Sequence, residues 1–157
     1  MVLEVGIFGP NFKLQGSDGK THTRKEFDGR YLVLYFYPKD DTPGCTIEAK
    51  EFTKHADEIR RHGAEVVGVS KDDLESHSKF MNKCGLGILL LSDPSHLTIQ
   101  AYDSWGNRGI FGFGTLRKTY IMDPTGKIVK IYDKVNPGKH AAEVIEFLRS
   151  VQVATQV

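Results

Sequence analysis

The sequence is short of cysteine. It has two, Cys45 and Cys84, in 157 residues. Two thiols cannot make the disulfide framework of a secreted scaffold, and no C-x-x-C or H-E-x-x-H motif supplies a metal-ligand pair. Long apolar runs are missing too. No stretch approaches the ~18 residues of a membrane-spanning helix. The opening segment, MVLEVGIFGP, lacks the basic start and apolar stretch of a targeting signal. An excess of one charge is also absent. Lys and Arg number 21 against 20 Asp and Glu, and Arg60-Arg61 and Arg117-Lys118 are only pairs. No basic field therefore calls for nucleic acid or an anionic membrane. These absences point to the cytoplasm. In that reducing compartment a cysteine serves as buried filler, metal ligand or reactive thiol sooner than as a permanent staple.

What remains is an ordinary globular composition, 39% hydrophobic and 26% charged. The length suits one domain over residues 1–157. The N-terminal part reads as short extended pieces, Asn11–Leu14 and Thr21–Thr23, about a turn at Gly16–Lys20. YLVLYFY, Tyr31 to Tyr37, is a strand covered on both faces, stopped by Pro38. Cys45, Ala49, Phe52, Ala56 and Ile59 then form one apolar stripe on a helix, closed by Gly63, with Glu48 and Lys50 mostly off it. AEVVGVS (Ala64–Ser70) is a second buried strand. Asp72–Cys84 is a second helix ended by Gly85, Ile88–Asp93 a third strand and Pro94–Tyr102 a short helix. A looser, glycine-rich stretch covers Asp103–Gly114. Packing beneath that loop accounts for Trp105, Phe111 and Phe113; walling the site entrance or a subunit contact is the alternative.

Near the C-terminus TLRKTYIMD and KIVKIYD flank the turn PTGK and predict an antiparallel hairpin. Asn136 caps a last helix with Pro137 in its first turn. Strand–helix–strand units followed by hairpin and helix predict a central mixed sheet flanked by helices. This is a thioredoxin-like α/β fold with an N-terminal β extension.

Taken alone, Cys45 on an apolar stripe reads as a small buried hydrophobe. Its neighbours argue otherwise. Pro43 and Gly44 place it in the first turn of a helix, where unpaired N–H groups and the positive end of the helix dipole meet. Both favour the thiolate, which is the nucleophilic form. Thr42 brings a hydroxyl near the sulfur, Pro38 and Pro43 stiffen the loop, and a strand end delivers it.

YPKDDTPGC carries Pro38-x-x-x-Thr42-x-x-Cys45 and resembles the active-site signature of the peroxiredoxins. The longer YFYPKDDTPGCTIEAKEF is similar to the bacterioferritin-comigratory-protein branch, or peroxiredoxin Q. NFKLQGSDGK, GVSKDDLESHSKF, LLLSDP and TYIMDPTGKI extend the resemblance along nearly the whole chain. The resemblance implies a thiol-dependent peroxidase for hydrogen peroxide and organic hydroperoxides, with no cofactor and no metal. Cys45 is then the peroxidatic cysteine, oxidised to a sulfenic acid. Thr42 hydrogen-bonds peroxide and thiolate, and Pro38 shields the sulfur. Arg117, six residues before the Asp123 of the D-x-x-G-K turn, supplies a fixed cation.

It also implies a resolving thiol and a thioredoxin- or glutaredoxin-like reductant. Many relatives keep the resolving cysteine five residues after the first, where this chain has Lys50. Cys84 is left with three readings. It resolves Cys45 in an intramolecular disulfide, it is a buried cysteine beside His77, Phe80 and Met81 while an external thiol acts, or it bonds another subunit. The branch implies a monomer or weak homodimer. Two other functions fit the fold. A disulfide oxidoreductase lacks its first cysteine, since Thr42 stands there, and a non-catalytic holdase leaves Pro38, Thr42, Cys45 and Arg117 unexplained. The six histidines lack metal-site spacing, and GIFGFG does not follow a strand and open a helix as a phosphate loop does.

Overall fold

The computed structural model describes residues 3–155, with side chains to residue 152. The N-terminal extension is a hairpin of β1 (Lys13–Gly16) and β2 (Thr21–Thr23). There follow β3 (Tyr31–Phe36), α1 (Pro43–Arg61), β4 (Ala64–Ser70), α2 (Leu74–Cys84) and β5 (Leu89–Ser92). After these come α3 (Leu97–Ala101), β6 (Trp105–Asn107), β7 (Phe113–Thr115), β8 (Lys118–Met122), β9 (Ile128–Tyr132) and α4 (His140–Thr155). The sheet runs β2-β1-β5-β4-β3-β8-β9 and is mixed. Its centre, β3, β4 and β5, is parallel, and β1 and β8 join it antiparallel on either side.

The apolar run of β3 explains its central place. Leu32 to Phe36 are all buried, so alternate side chains feed two cores. Val33 and Tyr35 pack with Phe52 and Ile59 of α1, Phe80 of α2 and Val144 and Leu148 of α4. Leu34 and Phe36 pack on the other face with Ile99 of α3, Tyr102 and Tyr120. The predicted stripe on α1 holds throughout: Cys45, Ala49, Phe52, Ala56 and Ile59 are buried.

Several boundaries shift for identifiable reasons. Helix α2 starts at Leu74 because Asp73 is its N-cap, its carboxylate accepting from the Ser76 N–H at 2.8 Å. It ends where Gly85 takes the left-handed conformation, φ 62°, as a helix-closing glycine does. Helix α4 begins at His140 rather than beside Asn136. The Asn136 side chain accepts from Gly138 N–H, and its carbonyl accepts from Lys139 and His140, so a turn precedes the helix. The loose stretch 103–114 contains an antiparallel pair, β6 with β7. There Phe111 and Phe113 stand 72% and 71% exposed, so they are not packed beneath a loop. Trp105 does pack, stacked flat on His96 with ring centroids 4.0 Å apart.

Candidate active site

The Tyr37–Phe52 segment leaves the end of β3, turns at Pro38, and enters α1 at Pro43. Thr42 is the N-cap, Pro43 is the first helical residue, and Cys45 lies in the first turn as the sequence predicts. Proline suits that position because its missing N–H would be unpaired there. Unpaired N–H groups of a helix start gather around the residue that follows. Cys45 is a free thiol, 1% exposed, and Pro38, seven residues earlier, is also buried.

Arg117 reaches this helix start from 72 residues further along the chain. Lys118 pairs with Phe36 across β8 and β3, which sets Arg117 beside the end of β3. Its Nη2 donates to Cys45 Sγ at 3.3 Å, and its Nη1 donates to Glu48 Oε1 at 2.7 Å. The guanidinium also lies against Gly44, where an added Cβ would come within 3.1 Å of Nη2. Glycine thus permits the close approach that the bond to sulfur needs. Burial would lower the affinity of Arg117 for its proton, but the charges of Cys45 and Glu48 more than offset this and hold it cationic.

Glu48 belongs to this site, and amphipathic spacing does not single it out. It is one turn beyond Cys45 and fully buried, although its sequence position reads as the polar flank of the stripe. Burial raises its carboxyl against the lowering effect of Arg117, to about 7. Its second oxygen, Oε2, has no hydrogen-bond partner among the described residues, and neither has the buried Tyr35 hydroxyl. The only sequence signal for Glu48 is an acid three residues after the candidate nucleophile, inside an apolar helix face.

The Thr42 hydroxyl does not point its proton at sulfur. It donates to the Lys39 carbonyl at 2.8 Å, so the hydrogen bond on Sγ comes from Arg117 instead. Thr42 keeps its oxygen lone pairs for a ligand. A further buried base, His140, meets Thr119 Oγ1 at 2.7 Å and packs edge-on against Phe52 and Tyr132. Burial, then the charge of Arg117, lowers it to about 4, so it is neutral near pH 7.

Cys84 occupies the last residue of α2 and is half-buried at the margin of the core that contains Cys45. Lys50 is exposed on α1. The loop and α2 are tied by polar contacts: Asp40 to Ser76 and His77, and Asp41 to Lys83 at 2.8 Å. Among the described residues no group of three or more His, Cys, Asp or Glu side chains could hold a metal ion, and no helix is long and apolar enough to cross a membrane.

This arrangement brings a candidate nucleophile and a fixed cation together at the N-terminal turn of α1. The guanidinium and the helix start both favour negative charge at the point where they meet. Known proteins resemble this chain over nearly its whole length. The AhpC/TSA family profile matches residues 5–131. Peroxiredoxin Bcp of Bacillus subtilis is 38% identical over 154 residues, which cover 96% of this chain and 98% of that protein. The structure of a Xylella fastidiosa PrxQ mutant superposes with a TM-score of 0.92 at 31% identity, covering 97% of this chain and 99% of that one. A bacterioferritin comigratory protein of Xanthomonas campestris, described for its alkyl peroxide reduction activity, gives 0.87 at 32% identity over 94% of this chain and 98% of its own.

Proposed function

The chain belongs to the AhpC/TSA family, as a peroxiredoxin of the Bcp and PrxQ type, and on that premise we propose that Cys45 is its peroxidatic cysteine. The observation that carries the reading is the 3.3 Å bond from Arg117 to Cys45 Sγ at the start of α1. The thiolate attacks the terminal oxygen of a hydroperoxide. The S–O bond forms as the O–O bond breaks, the alkoxide or hydroxide leaves and takes a proton, and sulfur becomes a sulfenic acid. Arg117 serves first the thiolate and then the charge spreading over the parting oxygens. Thr42 accepts a hydrogen bond from the hydroperoxide through its free lone pairs, and Pro38 keeps bulk water from the sulfur.

Cys84 then resolves the sulfenic acid. Its sulfur displaces water from Cys45, and a thioredoxin- or glutaredoxin-like dithiol reopens the disulfide. A disulfide requires Cα atoms within ~7 Å, and in this reading the first turn of α1 unwinds to meet Cys84. The substrates are hydrogen peroxide and organic hydroperoxides, handled in the cytoplasm by one domain acting as a monomer or weak homodimer.

Peroxide consumption with dithiothreitol tests the reading. Turnover should be present in the wild type and abolished in Cys45→Ser. Turnover that survives Cys45→Ser sinks it, and insulin disulfide reduction without peroxide turnover would favour a disulfide oxidoreductase instead.

A further inference from the structure

Between the reactive loop and α2 lies a buried polar cluster that the chemistry above does not use. His77 is fully buried on α2. Its Nε2 is 2.9 Å from the Leu91 carbonyl of β5, and its Nδ1 is 2.7 Å from Asp40 Oδ2. A carbonyl oxygen only accepts, so Nε2 carries a proton. With Asp40 ionised, its carboxylate also only accepts, so Nδ1 carries the other proton and the ring is an imidazolium paired with Asp40.

Asp40 is nearly as buried, and both of its carboxylate oxygens and its N–H are engaged. Oδ1 accepts from the Tyr37 hydroxyl at 2.6 Å, Oδ2 also accepts from Ser76 Oγ at 2.8 Å, and its N–H donates to Asp72 Oδ2 at 2.8 Å. The groups facing His77 are therefore the Tyr37 ring from the end of β3, Asp40 from the loop, Asp72 ahead of α2, and the Leu91 carbonyl. Burial alone would discharge the ring, but Asp40 outweighs it and holds the protonated form.

The position of this pair is what gives it consequence. Asp40 stands midway between Pro38 and Thr42. Asp41, next to it, is held in the left-handed region at φ 61°, a conformation a non-glycine residue keeps only when its surroundings fix it. Over this contact the loop and α2 are parted by a cleft of about 380 Å³ lined by Asp40, Asp41, Ser76, Phe80 and Lys83, so bonds and not apolar packing join them there.

We propose that His77 and Asp40 form an ionic latch whose role is to position the Pro38–Thr42 segment, and through it Thr42 and Cys45, against α2. His77 and Asp40 are positioning residues; neither touches the sulfur. The same latch anchors the helix that ends in Cys84. Opening it frees the loop to leave the reactive geometry and brings the two sulfurs within reach. The kinetic part rests on the peroxidase reading; the physical latch does not.

The test is His77→Gln, with Asp40→Asn as the second variant should the first not fold. Ring ¹⁵N shifts of wild-type His77 should show protons on both nitrogens at pH 7. In either folded variant, amide hydrogen exchange over residues 40–46 should accelerate about tenfold, the equivalent of one buried hydrogen bond lost. Oxidation of Cys45 by peroxide should slow by a similar factor, while the disulfide with Cys84 forms at least as fast once the sulfenic acid exists. Unchanged exchange, a neutral His77 ring, or equal slowing of both chemical steps would overturn the latch. If Cys45 of the wild type fails to react with peroxide, the peroxidase reading falls instead, and exchange still decides the latch.

Discussion

The two cysteines sit at opposite ends of their helices. Cys45 is in the first turn of α1, at its N–H end; Cys84 is the last residue of α2, at its carbonyl end. The helix field at the first supports negative charge and at the second opposes it. Arg117 and Glu48 surround only Cys45, whereas the cation next to Cys84, Lys83, is drawn away to Asp41. The same side chain thus becomes a candidate nucleophile in one place and no more than a candidate partner in the other. Position on a helix, and one arginine from a distant strand, make the difference.

Removing that arginine should cost most. Arg117→Ala leaves Cys45 with little beyond its helix end, and its oxidation by peroxide, followed by stopped flow, should slow by about 10²–10³. A loss under tenfold would mean that the helix start alone distinguishes the two thiols.

Next in size is the cost of keeping Glu48 beside the pair. Its folded carboxyl titrates at about 7 against 4.5 in a free chain, so the folded state holds the proton between these values. Its contribution is therefore fully present below pH 4.5 and lost as pH rises through 7. Relative to Glu48→Gln, the wild type should lose up to ~3 kcal/mol across that range in urea unfolding. A pH-independent difference between the two would place the charge elsewhere.

Cys84→Ser addresses the other thiol. The first oxidation of Cys45 should keep its rate, while mass spectrometry finds a sulfenic acid or mixed adduct in place of an internal disulfide. Turnover with a thioredoxin-like dithiol should fall about tenfold, as resolution passes to an external thiol. A disulfide-free wild type after one equivalent of peroxide would leave Cys84 without the resolving role.

The smallest effect is expected from Gly44→Ala. The new methyl would sit 3.1 Å from Arg117 Nη2, and the flexible guanidinium must yield by a few tenths of an ångström. Oxidation of Cys45 should slow about threefold, consistent with a weakened but surviving hydrogen bond.

Most of the scaffold was legible in the sequence because burial leaves periodic marks. The run Tyr31–Tyr37 announces a two-sided strand, and the stripe from Cys45 to Ile59 announces α1. Glu48 and the His77–Asp40 pair left no such mark. A buried charge is tolerable only beside a partner, and these partners lie 69 and 37 residues away, a relation that no local pattern contains. Arg117 was legible only through a resemblance, since a single arginine ahead of a strand is otherwise an ordinary surface residue. The β6–β7 pair escaped because three-residue strands rich in glycine carry too little alternation.

The pairing of β3 with β8 carries one more consequence, for the order in which the protein is made. Phe36 meets Lys118 at the edge of that pairing, and Cys45 precedes Arg117 by 72 residues. A growing chain therefore releases Cys45 from the ribosome long before Arg117. Because β8 adds to the sheet only after its sequence has emerged, the contact between Arg117 and Cys45 Sγ forms only on completion of the fold, and an unfinished chain lacks it.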